Sequence, residues 1–276
     1  DRFALVIDGK ALALIFKKGS DGKPSPLVAL LLAVARECRA VVACRVSPSQ
    51  KADIVSMVRK GVSPQPMTLA IGDGANDVNM IQTAHVGIGI SGNEGVQAVN
   101  SSDYAIAQFR FLVRLLLVHG RLNYQRISKT ILYSFYKNVA LVSVLFFYQF
   151  YTGFSGTTLF ESFVQAGWNF FTALPIISVG IEDHDIPDTQ AARFPKLYED
   201  GMRNSSLNPG LFALWLVNGV YHAVVVFFMH LPLLLQQPWS QEGSSDGIFI
   251  AGFTVYASLL LTAQYKVMLL ARAWTR

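Results

Sequence analysis

Thr68-Leu69-Ala70-Ile71-Gly72-Asp73-Gly74-Ala75-Asn76-Asp77-Val78 sets two carboxylates and an amide around two glycines directly after an apolar, strand-like run. At the carboxyl end of such a strand, where open α/β sheets place their ligands, Asp73 is the candidate ligating group. Gly72 and Gly74 let the backbone turn tightly, so that Asn76 and Asp77 come back to the same spot. Magnesium takes oxygen ligands and keeps several waters, so one or two carboxylates and a phosphate suffice to hold it. The plain alternative is an Asp/Gly/Asn turn with no ligand.

Working outward, short apolar runs alternate with helical patterns. Phe3 to Ile7, Ala40 to Val46, Met67 to Ile71, Val86 to Ile90 and Tyr104 to Ile106 read as strands. Pro26 to Cys38, Ser49 to Lys60, Asp77 to Ala84 and Glu94 to Asn100 read as helices between them. This alternation predicts part of a doubly wound parallel α/β sheet over residues 1–109. The stretches Lys17 to Pro24 and Gly61 to Pro66 are turn-rich connections. Lys51 falls at the start of a helix after Ser47-Pro48-Ser49-Gln50, where an ammonium and a helix amino end together favour an anion.

The remainder is of another kind. With 52% hydrophobic residues and only 15% charged ones over 276 residues, the chain is too apolar for all of its surface to face water. A net charge of +5 does not indicate nucleic acid, because the basic residues after Phe109 gather at the ends of apolar segments. Arg110, Arg114, Arg121, Arg126 and Lys129, interleaved with leucines, predict a stalk helix over 110–130. An all-α membrane domain follows over 131–276, with spans at about 131–152, 160–181, 209–232 and 247–266, each near the roughly 20 residues a bilayer requires. Basic residues border the stalk, the Glu182–Ser206 loop and the final tail, whereas the loops near Gly153–Glu161 and Gln236–Asp246 have none. The sheet domain, the middle loop and the end of the chain are therefore expected on the cytosolic side. That side makes Asn100-Ser101-Ser102 and Asn204-Ser205-Ser206 poor glycosylation sequons. Cys38 and Cys44 offer no disulfide framework or metal tetrad and are expected to be reduced. No signal peptide is visible at the start, and the first residue, Asp1, suggests a fragment.

Lys137 interrupts the first span. An ionisable group there costs about 2.5–3.5 kcal/mol on insertion scales, which makes it a functional candidate, with snorkelling to the interface as the alternative. Asn169, beside Trp168 and Phe170 in the second span, is a weaker candidate. Pro175 breaks the ladder of the second span and exposes a carbonyl near Phe171 or Thr172. His222 and His230 lack companions at metal spacing. Trp239 and Trp274 are expected interface anchors.

The string GDGANDVNMIQTAHVGIGISGNEGVQAVNSSDYAIAQF, the upstream CRVSPSQK and the later LLLVHGRLNYQRISKTILYSFYKN resemble the type-IV branch of the P-type ATPases, the phospholipid flippases. The resemblance covers nearly the whole chain and is strongest from Ala43 to Asn138. It implies a HAD-like phosphorylation domain in which Asp73 and Asp77 hold or orient Mg2+, Asn76 bonds the transferring phosphate, Lys51 contacts the phosphoryl group and Arg45 lies near bound ATP. It also implies that Lys137 and Asn138 couple lipid to dephosphorylation. A small accessory glycoprotein subunit and a plasma-membrane or late secretory and endosomal location are further implications. One departure is plain: the Asp-Lys-Thr-Gly-Thr string that carries the phosphorylated aspartate in this family does not occur here, and Asp8 in Ile7-Asp8-Gly9-Lys10 reads as a strand-end turn. The chain thus resembles the carboxyl-terminal portion of a pump. A noncatalytic truncated homologue and a cation or polyamine pump are the alternatives, the latter disfavoured by spans without acidic residues.

Overall fold

The computed structural model describes residues 3–17, 25–92, 96–235 and 247–272. Most of the Lys17–Pro24 connection, the expected helix start at Glu94, the basic-free 236–246 loop with Trp239, and Trp274 lie outside the described residues. The chain divides into two compact units, Asp1–Leu112 and Val113–Arg276.

The first unit runs β1 (Phe3–Asp8), α1 (Gly9–Ile15), α2 (Pro26–Glu37), β2 (Cys38–Cys44), α3 (Pro48–Gly61), β3 (Leu69–Gly72), α4 (Val78–Thr83), β4 (Val86–Ile90), α5 (Gln97–Asn100) and β5 (Tyr104–Ile106). Every strand pairing is parallel, as the alternating pattern predicts, but the strands form two sheets, β1-β2 and β3-β4-β5, where one was expected. Two boundaries moved for local reasons. β2 stops at Cys44 because Arg45 adopts a left-handed conformation at φ 52°, which a β-strand cannot contain. The helix expected from Asp77 is preceded by a 3-10 turn over Ala75–Asp77. Helix α1 was not anticipated; Asp8 caps it by accepting from the Ala11 N–H at 2.8 Å, which agrees with its reading as a turn residue.

The second unit holds the remaining helices: α6 (Leu112–Arg114), a π-helical stretch (Leu115–Gly120), α7 (Arg121–Tyr151), α8 (Ser162–Glu182), α9 (Asp188–Arg193), α10 (Glu199–Met202), α11 (Pro209–Leu235) and α12 (Gly247–Leu270). Four helices among the described residues are long and apolar enough to cross a membrane: Phe109–Tyr151, Ser162–Glu182, Pro209–Leu235 and Gly247–Leu270. On α7 the buried residues Tyr133, Tyr136, Ala140, Val144 and Tyr148 recur at three- and four-residue intervals, so one stripe of the helix faces its neighbours. They join Trp168 and Ile176 of α8, Phe227 of α11 and Tyr256 and Leu259 of α12 in one core. Phe135, Val142, Phe146 and Phe150 on the outer side of α7 remain exposed, the surface that a lipid-facing helix presents.

Charged side chains pin one end of this bundle. The loop after α8 carries Asp183 and Asp185, and Arg121 of α7 donates to both Asp185 oxygens at 2.9 and 2.5 Å. Lys129 pairs with Asp183, Arg126 donates to the Asp183 carbonyl at 2.8 Å, and the backbone N–H of Arg272, just past α12, donates to Asp183 at 2.7 Å. Arg121 and Asp185 are both nearly inaccessible, at 5% and 8% exposure of their side chains. Such a pair is favoured when geometry and further contacts offset desolvation; the bidentate fork supplies the first and Arg272 Nη1, 3.5 Å from Asp185, adds to it, although the buried Arg121 Nε finds no hydrogen-bond partner among the described residues. Burial raises the pKa of the Asp185 carboxyl, but hydrogen bonding and charge attraction from Arg121 outweigh it and hold the carboxyl below its ordinary value.

Candidate functional site

The Gly72–Asp77 turn is as tight as its glycines suggest. A Cβ on Gly72 would sit 2.3 Å from the Cβ of Asp77, so only glycine lets Asp77 fold back over the end of β3. Asp77 is thereby buried, and its carboxylate accepts a hydrogen bond from Lys51 Nζ at 2.7 Å. Asp73 and Asn76 remain exposed, with no ion pair or side-chain hydrogen bond among the described residues. Of the expected site, the fold therefore joins Lys51 to Asp77 and leaves Asp73 and Asn76 on the open side of the same turn.

Lys51 is placed by a helix start that the sequence reading did not exploit. Ser47 Oγ accepts from the Gln50 N–H at 3.3 Å, and Gln50 Oε1 accepts from the Ser47 N–H at 2.9 Å. The Ser-x-x-Gln spacing is the signal for this reciprocal cap. Gln50 Nε2 also donates to the Gly9 carbonyl at 2.7 Å, tying α3 to the first residue of α1. Arg45 lies just before this cap in its left-handed conformation, an arrangement that costs a non-glycine residue about 1 kcal/mol or more. Its carbonyl lies so close to Gly9 that a Cβ there would be 2.4 Å away. The Arg45 side chain is exposed and forms no ion pair with the Lys51–Asp77 pair.

The residues fit a magnesium ion that shares its ligands with a phosphate. Asp73 and Asp77 supply two carboxylates, and no group of three or more His, Cys, Asp or Glu side chains placed to hold a metal occurs among the described residues. A dedicated protein cage is thus absent there, and water and substrate oxygens would complete the shell.

In the second unit Lys137 is buried at 5% exposure. Its Nζ donates to Asn169 Oδ1 at 2.8 Å and to Thr172 Oγ1 at 2.9 Å. Thr172 in turn donates to the Trp168 carbonyl at 2.5 Å. The lysine does not snorkel; it crosses to α8. Asn169 was a sequence candidate, whereas Thr172 was not, because only the pairing of α7 with α8 reveals it. Asn138 is exposed and does not join this cluster. No acidic side chain accompanies Lys137 among the described residues.

Pro175 acts as its chemistry demands. Without an N–H it leaves the carbonyl four residues earlier, that of Phe171, unpaired in the helix. Gln264 Nε2 of α12 donates to that carbonyl at 2.5 Å. The two histidines likewise serve packing contacts: His222 Nδ1 meets the Tyr136 hydroxyl at 2.5 Å, and His230 meets the Val226 carbonyl at 2.8 Å and Ser258 Oγ at 3.0 Å.

Residues 99–276 match the family of the phospholipid-translocating P-type ATPase C-terminal region. A phospholipid-transporting ATPase of Schizosaccharomyces pombe is 44% identical over 100% of this chain and 21% of its own length. The phospholipid-transporting ATPase DRS2 of Saccharomyces cerevisiae is 43% identical over 99% of this chain and 20% of its own length. The chain thus spans about a fifth of the curated relatives it matches. With the family match covering more than half of its residues, the chain belongs to the phospholipid-translocating P-type ATPases.

Proposed function

We propose that the chain is the carboxyl-terminal portion of an ATP-driven pump that moves phospholipid to the cytosolic leaflet through an aspartyl-phosphate intermediate. The observation that carries this reading is the Lys137–Asn169–Thr172 cluster, an ammonium, an amide and a hydroxyl joined inside the spans at 2.8 and 2.9 Å. A cation or polyamine path calls for carboxylates, whereas donors and neutral acceptors suit the phosphate and polar groups of a lipid headgroup. The relatives are named for phospholipid transport, which supports the same substrate class.

In this reading β1-β2 and β3-β4-β5 are two parts of one HAD-like sheet, with the phosphorylated aspartate supplied by residues other than those of this chain. Asp73 and Asp77 would hold Mg2+, whose chemistry is to neutralise phosphate charge. Lys51 sits on the first turn of α3, where the helix dipole and its ammonium, already paired with Asp77, would add positive charge facing a phosphoryl group. Asn76, exposed on the same turn, offers an amide donor to that phosphoryl group. Arg45 lies toward bound ATP. Lys137, with Asn138 and Asn169, stands on the lipid path. The sheet domain, the 182–206 loop and the end of the chain lie in the cytosol, in a multi-pass protein of the plasma membrane or late secretory and endosomal membranes. A small accessory glycoprotein subunit accompanies the pump.

The test is reconstitution of the full-length protein into vesicles carrying a labelled phospholipid in one leaflet. ATP-dependent loss of label from the outer or lumenal leaflet is expected. Stimulation by a metal cation or polyamine, with indifference to every phospholipid offered, would assign it to the cation pumps. Failure to form any phosphoenzyme would mark a noncatalytic homologue.

A further inference from the structure

Where α8 meets α12, two buried polar atoms have no hydrogen-bond partner among the described residues: the hydroxyl of Tyr256 and the indole Nε1 of Trp168. The two side chains are 4% and 1% exposed, and their rings meet edge-on at 5.7 Å. A tyrosine hydroxyl or an indole N–H inside an apolar bundle ordinarily finds a partner. Here the fold leaves the place of that partner open beside Tyr256.

A cavity of about 510 Å³ lies there, lined by Phe163, Gly167, Phe170 and Phe171 of α8 and by Phe253 and Tyr256 of α12. Aromatic walls with a single polar group are the usual make-up of a small-molecule site of this size. No charged side chain lines it among the described residues. Gly167 keeps the approach to the hydroxyl clear, since a Cβ there would stand 3.8 Å from Tyr256 Oη and 3.1 Å from the Phe171 ring. The two helices start at the same end, because a Cβ on Gly252 of α12 would fall 2.1 Å from the carbonyl of Leu159, just before α8. Gly167 is five residues into α8, roughly 8 Å from its start at the α-helical rise. That depth keeps the hydroxyl within one leaflet of a hydrocarbon core about 30 Å thick.

We propose that this groove binds a sterol, its flat ring system against the phenylalanines and its single hydroxyl hydrogen-bonded to Tyr256. A phospholipid headgroup finds no charge in the groove, and flexible acyl chains make no use of the hydroxyl. A sterol matches both features: one group that donates and accepts, on a rigid apolar body that loses little entropy on binding. The inference requires only that these helices span a membrane and is independent of the proposed pump activity.

The test uses the full-length protein in nanodiscs of dioleoylphosphatidylcholine that contain a cholesterol analogue with a diazirine in its ring system. Cross-links mapped by peptide mass spectrometry should concentrate on the α8 segment from Phe163 to Phe171 and on Phe253. Phe146, an exposed residue of α7 that stacks on Phe150 at 5.1 Å, is the control for bulk lipid contact. Equal labelling at Phe146 would overturn the site, as would no labelling of the groove, the result expected if another segment of the full-length protein fills it. Unlabelled cholesterol should compete, and cholestene, which lacks the hydroxyl, should compete about fivefold less well, the scale of one neutral hydrogen bond. Equal competition by the two would show that the hydroxyl is not read and would overturn its assignment to Tyr256. Tyr256→Phe should weaken sterol labelling by the same factor and leave thermal unfolding in sterol-free discs unchanged, because the hydroxyl loses no protein partner. Marked destabilisation by Tyr256→Phe would reveal such a partner and remove the basis of the proposal. Gly167→Val, which fills the approach, should abolish labelling, and unchanged labelling of a folded Gly167→Val would also overturn the site.

Discussion

The Gly72–Asp77 turn and the Lys137 cluster are both polar sites built around a lysine, but they are made by different means. In the turn, the decisive constraint lies within six residues: Gly72 clears the space into which Asp77 folds, and Asp77 then meets Lys51 at 2.7 Å. In the cluster, Lys137 and its acceptors are 32 and 35 residues apart, and nothing local brings them together. The first site is a property of backbone geometry; the second depends on the pairing of α7 with α8. The turn should therefore break under a single added methyl group, while the cluster should also be weakened by changes that disturb helix pairing elsewhere.

The largest effect is expected at the turn. In the full-length pump, Asp77→Asn should reduce phosphoenzyme formation from ATP by about 100-fold or more, the scale of a lost electrostatic group in a reaction site. Gly72→Ala should approach the same loss with every charge intact, because the added Cβ falls where Asp77 stands. Normal labelling by Gly72→Ala at ordinary magnesium would show that the close approach is dispensable and would dissolve the contrast.

Next come the charges that fix the helix pairing. Removing Arg121 leaves the buried Asp185 carboxylate the longer contact with Arg272 at 3.5 Å as its remaining ion pair among the described residues, and Arg121→Ala should lower stability by up to about 3 kcal/mol, read as the thermal unfolding of the purified protein. Because the Asp185 carboxyl is held below its ordinary value, its ionised form stabilises the fold. That contribution is present above the ordinary carboxylate range and is lost as pH falls through the folded-state value. Asp185→Asn should consequently flatten the acid side of the stability profile, and an unchanged profile would show that the pair does not tie α7 to the loop.

The smallest effect concerns the carbonyl freed by Pro175. Gln264→Leu leaves the Phe171 oxygen without its partner and should cost about 1–3 kcal/mol. Adding Pro175→Ala, which restores an N–H to the helix ladder, should recover most of that loss. Additive losses in a double-mutant cycle would mean that Gln264 and Pro175 act independently.

The same contrast explains what could be read from the chain. Strand, turn and helix around Asp73 were legible because glycine spacing and alternating apolar runs are local signals, and the four spans were legible because length and hydropathy suffice. Thr172, Asp183 and Asp185 were not, since a hydroxyl in an apolar run or an aspartate in a loop acquires meaning only from the helix opposite it. Lys266 belongs by sequence to the basic residues near the end of the chain, yet its ammonium lies on Tyr136 and Trp215, residues contributed by two other helices. The split into two sheets was hidden as well, because periodicity reports strands but not which strands pair. The Ser47–Gln50 cap, by contrast, was present in the local pattern and was passed over.

The most direct measurement is the rate of phosphoenzyme breakdown in the reconstituted full-length pump, with and without phospholipid, for the unmodified protein and for Lys137→Ala. The unmodified protein is expected to break down its phosphoenzyme faster when lipid is added. Lys137→Ala is expected to form phosphoenzyme normally and to lose most of that acceleration, because Asn169 and Thr172 lose the ammonium they share. Full lipid stimulation in Lys137→Ala would contradict the assignment of the cluster to the lipid path.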